Sequence, residues 1–228
     1  MYLLEAQYLY QMLGGMVTTI QLFIVSWVLA FSVALTLVVI RATEWSVARW
    51  LVDAYVEYHR NVPLLVHVLF WYFGMPELLP ESVRGWLYQH NAEMSLAAIA
   101  LGLGAAAYIA EDIRSGLRAI PDTQFEAARA MGANYLQGMR YVIIPQALRH
   151  AVPALIGRAL LLFKNTSVTM AIGVAELTYQ AREIENDTYR TFATYGAATA
   201  MYLAGAFLIM FIGARIHAYY AISGGRNA

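Results

Sequence analysis

Long apolar runs without a single formal charge alternate along this chain with short polar ones. Residues 17–40, 61–75, 94–110 and 195–214 contain no Asp, Glu, Lys or Arg, and 151–175 is broken only by Arg158 and by Lys164-Asn165-Thr166-Ser167. A helix rises about 1.5 Å per residue and a bilayer core is about 30 Å thick, so the longer runs reach across a membrane. Lipid offers no partner to a free backbone N–H or C=O, so each crossing is predicted to be helical. The pattern therefore predicts an all-α integral membrane protein with about five spans at these positions. Pro76 and Pro80 end the second span, and the third is rich in small residues that let helices approach closely. Residues 41–60 are mixed in charge and carry Trp45 and Trp50, the pattern of an interfacial helix. No repeat or linker divides the chain, so residues 14–220 read as one domain.

Composition narrows the classes. Of 228 residues, 60% are hydrophobic and 13% charged, too apolar for an ordinary soluble domain of this length. The net charge of zero gives no electrostatic footprint for nucleic acid, and the absence of cysteine excludes disulfides and thiolate metal sites. The amino-terminal stretch MYLLEAQYLYQML lacks the basic segment of a signal peptide, and the apolar run after it is too long for one. It reads as a retained span.

One polar stretch stands apart. In TQFEAARAMGANYLQGMRYVIIP, residues 123–145, Thr123 and Glu126 have capping-box spacing and predict a helix start. Gly132 lies where that helix should stop, a second short helix follows from Ala133, and Pro145 is expected to end it. A polar helical finger set between spans is a surface for docking a partner. Arginines cluster after the first span, around the finger and at the carboxyl end (Arg215, Arg226), while the other connections are acidic. The positive-inside rule then puts the amino terminus outside and both the finger and the carboxyl terminus in the cytoplasm.

The spacing Glu126-Ala127-Ala128, three residues, Gly132, nine residues, Val142-Ile143-Ile144-Pro145 resembles the EAA coupling loop of bacterial ABC-importer permeases, with Val142 and Ile144 as mild aliphatic departures. The stretches YVEYHRNVPLL (55–65), AYIAEDIRSG (107–116) and FKNTS (163–167) with Glu176-Leu177 resemble, in order, three blocks of the polar amino-acid branch of that family. Asn61-Val62-Pro63, Trp71-Tyr72 and the segment 76–80 look closest to glutamate/aspartate permeases. The resemblance implies a type I importer transmembrane domain in a bacterial inner membrane. It implies a second permease chain, identical or, in preference, different, a cytoplasmic ABC ATPase dimer and an extracytoplasmic solute-binding protein. Basic or amide amino acids stay open as substrates beside the acidic ones, and from a different class an ion-coupled secondary transporter is the rival.

No Walker A sequence surrounds the sole lysine, so the chain is not expected to be an enzyme or to bind a cofactor; ATP and Mg belong to the partner ATPase. The expected ATPase-coupling residues are Glu126, Ala127, Ala128, Gly132 and Pro145. Polar residues inside a span default to function. Lys164, Asn165, Thr166 and Ser167, with Glu176 beyond them, are therefore the candidate substrate-pathway set, beside the alternative of a structural network that unwinds one turn. Arg158 and His67 carry the same two readings. A neutral Asn165 beside Lys164 suits an anionic or zwitterionic amino acid.

Overall fold

The structure is a computed structural model that describes residues 6–43 and 45–220; Arg226, counted above with the basic carboxyl end, lies outside the described residues. Every regular element among them is helical. Helix α1 (Ala6–Arg41) is followed by α2 (Ser46–Asn61), α3 (Leu64–Leu69), α4 (Glu81–Gln89), α5 (Ala92–Arg118), α6 (Asp122–Ala130), α7 (Tyr135–Gly138), α8 (Ile144–Asn165), α9 (Leu177–Thr188) and α10 (Thr191–Tyr220). Four segments are long and apolar enough to cross a membrane: α1, α5, the run from Tyr135 to Ile172 that contains α8, and α10. The second expected span is a shorter apolar segment, Leu64–Leu78. It is joined to α2 through Pro63, whose missing N–H ends a helix at Asn61. Helix α2 does not lie apart at the interface as expected. Its Val52 and Val56 pack on Ala107, and the Tyr55 hydroxyl donates to Leu103 O at 2.7 Å.

Helix α5 is the centre of the bundle, with α1 on one side and α8 on another. Small residues make this possible: Ala97, Ala100, Ala106 and Ala107 are fully buried, so neighbouring backbones come close. At Gly116 the approach is tightest, since a Cβ there would lie 2.6 Å from Ala147 O and 3.1 Å from Ala151 Cβ. Backbone cannot swing aside as a side chain can. Gly116→Ala is accordingly expected to cost about 1–3 kcal/mol, an overpacking penalty, and to lower the melting midpoint of the purified protein. An unchanged midpoint would show that α5 and α8 slide apart freely.

Helices α1 and α5 run in the same direction. A Cβ on Gly102 would meet Leu29, and Arg41 reaches Glu111 at 3.4 Å. This places the start of α5 level with Thr19, so the first turns of α1 extend past the bundle by roughly 20 Å. Helix α9 starts at that level, where Leu177 N–H donates to Thr19 Oγ1 at 3.2 Å. From there it follows α1 outward, packing Ala181 and Ile184 on Met12. The bundle thus has a finger end, with α6 and α7, and a far end, with α4, α9 and the start of α10.

The finger differs in detail from its expected form. Helix α6 starts at Asp122 after Pro121, without a side-chain cap, so Thr123 and Glu126 form no capping box. Pro121 sets the entry geometry instead, and Asp122 complements the helix dipole in the first turn. The capping box lies one helix later, where Asn134 Oδ1 accepts from Gln137 N–H and Asn134 N–H donates to Gln137 Oε1, both at 2.9 Å. Gly132 does end α6, at φ +85°, with Ala133 N–H reaching Ala128 O and Gly132 N–H reaching Arg129 O.

Pro145 does not terminate a helix; it sits in the first turn of α8. The preceding residues Met139–Ile143 form a π turn, in which Ile144 N–H reaches Met139 O. The wider turn absorbs an extra residue just before a proline that could not have donated to the usual carbonyl. The same device recurs at Phe70–Gly74, ahead of Pro76.

Candidate functional site

Two places gather the polar groups that this apolar chain contains: the finger surface and a cavity within the bundle. In the finger, the two alanines do different work. Ala127 is exposed, whereas Ala128 is buried under α7, next to Gly138 and Phe125. Glu126 and Gly132 are exposed on the outer surface, as are Met131 and Leu136. Pro145 stands at the root, half-buried. The finger is held to the span by Ile120, Ile143 and Ala147, with Phe125 packed against them. It offers an exposed acid, a small residue and apolar side chains on a knob whose shape is fixed by the Gly132 turn.

The cavity, about 130 Å³, lies between α2, α3, α5 and α8. At roughly 30 Å³ per water it has room for about four, enough for a small polar solute. His59 and His67 face it from one side, Tyr108 from α5, and Arg158 and Asn165 from α8. The break at Pro63 is what brings the two histidines together, with ring centroids 4.7 Å apart. His59 Nδ1 lies 2.9 Å from Tyr55 O. His67 is buried, yet neither ring nitrogen has a hydrogen-bond partner. A buried polar group without a partner is costly, of order 1–3 kcal/mol, and at a cavity wall the partner is water or a bound solute.

Arg158 closes the finger side. Its Nε and Nη2 donate to Asp112 at 2.7 and 3.3 Å, and its guanidinium lies 4.7 Å from the Tyr108 ring centroid. Asp112 is the carboxylate that meets this arginine, so the charge Arg158 brings to the cavity wall is already paired, while the histidines and Asn165 each offer a donor and an acceptor. Glu111 is likewise engaged, by Arg41 and by Arg114.

Of the five residues singled out in sequence for the pathway, Asn165 lines the cavity. Lys164 is exposed on the outer face of α8. The hydroxyls of Thr166, Ser167 and Thr169 bond back to the carbonyls of Phe163, Lys164 and Thr166 at 2.7–2.8 Å. There α8 tightens into a 3₁₀ turn over Thr166–Ile172, the structural reading of that polar run. Glu176 stands apart at the base of α9, fully buried. Its carboxylate accepts from Thr178 N–H, Tyr179 N–H and the Tyr202 hydroxyl at 2.7–2.9 Å. It therefore caps α9 and ties it to α10 instead of joining the other four. Burial pushes this carboxyl up from its ordinary range, against the opposing pull of those hydrogen bonds. His59 and Tyr108 were not singled out in sequence for the pathway. The available signal was two histidines eight apart across a proline inside apolar sequence.

Residues 44–223 match the family described as binding-protein-dependent transport system inner membrane component. The chain belongs to that family. It is 33% identical over 202 residues to the glutamate/aspartate import permease protein GltJ of Escherichia coli (strain K12), covering 86% of this chain and 82% of that one. It is 34% identical over 179 residues to the probable glutamine ABC transporter permease protein GlnM of Bacillus subtilis (strain 168), covering 76% of each. Among solved structures, an amino acid ABC transporter crystallised with histidines matches with a TM-score of 0.82 and 28% identity over 93% of this chain and 95% of that one. By its fold and these likenesses, the chain is a membrane-spanning permease of the amino-acid ABC type.

Proposed function

We propose that this chain is one of two permease subunits of a type I importer that carries acidic amino acids, glutamate or aspartate, inward through a bacterial membrane. In this reading residues 14–220 form the transmembrane domain. The amino terminus and far end face outward to a solute-binding protein, and the finger and carboxyl terminus face the cytoplasm. The finger residues Glu126, Ala127, Ala128 and Gly132 meet an ABC ATPase that holds ATP and Mg, and Pro145 anchors their root. ATP-driven closure of the ATPase pair pulls on the fingers, the spans rock, and solute delivered at the far end passes the cavity.

The observation that carries the acidic reading is the unpartnered His67 in a cavity whose lining holds no Asp or Glu and whose charged side chain is Arg158, paired with Asp112 outside the lining. A second carboxylate on the solute finds donors there; a cationic side chain finds no acceptor of its own charge class. The likeness to a glutamate/aspartate permease points the same way.

The test is uptake by the reconstituted transporter carrying His67→Leu. Since neither His67 nitrogen bonds to the protein, this change removes no hydrogen bond that holds the fold. Losing one charge-assisted hydrogen bond raises KM for glutamate about tenfold or more. Native glutamate kinetics in His67→Leu would remove the cavity from the pathway, and a native preference for lysine, arginine or glutamine would overturn the acidic assignment.

A further inference from the structure

The geometry points to a binding site for one anionic phospholipid on the finger side of the bundle. Its phosphate is held by Arg41, Arg49 and Arg114, and a stretch of acyl chain enters the chamber behind them. The site is separate from the solute cavity and from the finger surface, and it does not depend on which amino acid is carried.

Depth places the arginines. Arg41 directly follows the charge-free run of α1 and stands roughly 33 Å along that helix from Thr19, the residue level with the start of α5. Arg114 stands equally far along α5 from Ala92. A hydrocarbon core is about 30 Å thick, so both guanidiniums lie where lipid phosphates begin. Helix α2 folds back beside them. Its residues Ser46, Arg49, Trp50 and Asp53 have the spacing of one helix face, and with Arg41 and Arg114 they line a hollow of about 500 Å³. Trp50, 67% exposed, puts an interfacial ring at the rim.

Asp53 pairs with Arg41, and Glu111 meets Arg41 at 3.4 Å and Arg114 at 3.1 Å. These pairs hold the guanidinium forks in place without saturating them. A guanidinium carries more N–H donors than a carboxylate has lone pairs, so among the described residues three arginines over two carboxylates leave donors for an anion. Planar forks of this kind match the oxygens of a phosphate.

A second chamber, of about 140 Å³, lies between α1, α2 and α5, and Arg41 and Arg114 border it as they border the hollow. Leu37 and Ala110 in its wall stand one turn before Arg41 and Arg114, and Val56 stands about one turn beyond Asp53 on the returning helix. The chamber therefore reaches from the arginines toward the bilayer centre. An apolar cavity of about this size accepts a guest as large as benzene, so a segment of acyl chain fits. Charge toward water and apolar space toward the bilayer centre is the order of a phospholipid. A free phosphate, or an acidic side chain of a soluble partner, would leave the chamber empty.

The experiment titrates phosphatidylglycerol, with phosphatidylcholine as neutral reference, into the detergent-purified full chain and reads the rise in melting midpoint that a bound ligand produces. The native chain binds phosphatidylglycerol about tenfold or more tightly than phosphatidylcholine. Arg49→Gln with Arg114→Gln removes that preference. Arg118→Gln with Arg215→Gln, which takes the same charge from the finger side outside the hollow, retains it. Ala110→Leu keeps every arginine but fills the chamber, and weakens phosphatidylglycerol about tenfold; it also carries the test if the first pair fails to fold. Glycerol phosphate, which has no tails, competes only at about a hundredfold higher concentration. Equal loss in both arginine pairs would mean diffuse attraction and overturn the site, as would native affinity in Ala110→Leu. Competition by glycerol phosphate at matching concentration would make this a free-anion site, and displacement of the lipid by an added ATPase subunit would make it part of a protein interface. Either result overturns the lipid assignment.

Discussion

Gly132→Val is expected to reduce uptake ten- to a hundredfold while the chain still inserts and pairs normally. The cause is backbone, not crowding: a Cβ on Gly132 would meet no atom within 4 Å, but φ is +85°. A β-branched residue in that region costs about 1–3 kcal/mol, and each 1.4 kcal/mol shifts an equilibrium about tenfold. The least costly relief is to rotate φ negative, which breaks the bonds from Ala133 to Ala128 and from Gly132 to Arg129. Helix α7 then leaves α6 at a new angle, and the outer knob no longer presents Glu126 and Ala127 together. Gly132→Asn, which tolerates a left-handed backbone, retains most activity. The measurement is uptake in proteoliposomes alongside ATP hydrolysis; full uptake by the valine variant would show that the finger's shape transmits nothing.

The Gly132 turn was legible because local chemistry decides it: glycine takes that backbone at the least cost. The crossing helices were legible for a similar reason, since charge-free length is set residue by residue. What escaped the sequence was decided by neighbours distant along the chain. Pro145 reads as a terminator unless the π turn before it is known, and that turn depends on Ile143 packing against Ile120. Glu176 adjoins the polar run at 164–167, yet Thr19 on α1 and Tyr202 on α10 claim its surroundings. His59 was hidden because its approach to His67 depends on how α2 and α3 meet across Pro63. Charge count alone also could not say that α2 leaves the interface to pack on α5.

Glu176→Ala is expected to destabilise the protein by about 3–5 kcal/mol, more than either Gly116→Ala or Gly132→Val. Two backbone N–H groups and the Tyr202 hydroxyl donate to this buried carboxylate, and truncation leaves donors unmatched in a place water does not reach. Each orphan costs of order 1–3 kcal/mol, and loss of the α9 cap adds about 1. Tyr202 recovers part of this, because its oxygen also lies 2.9 Å from the Thr178 hydroxyl. Glu176→Gln keeps an acceptor and should lose less than half as much. The signature is a lowered melting midpoint with early proteolysis of α9, read by limited digestion. Native stability in the alanine variant would mean that water fills the site and the carboxylate is not the keystone of the far end.

The π turn at Met139–Ile143 has a bearing on which lengths of chain this architecture accepts. Successive residues on an α-helix are turned by about 100° around its axis. A single extra residue lodged in that turn therefore sets the azimuth of the whole finger relative to α8. Natural relatives should drift in length at the exposed corners of the far end far more readily than between Gly138 and Pro145, where one codon gained or lost would aim the knob at empty solvent.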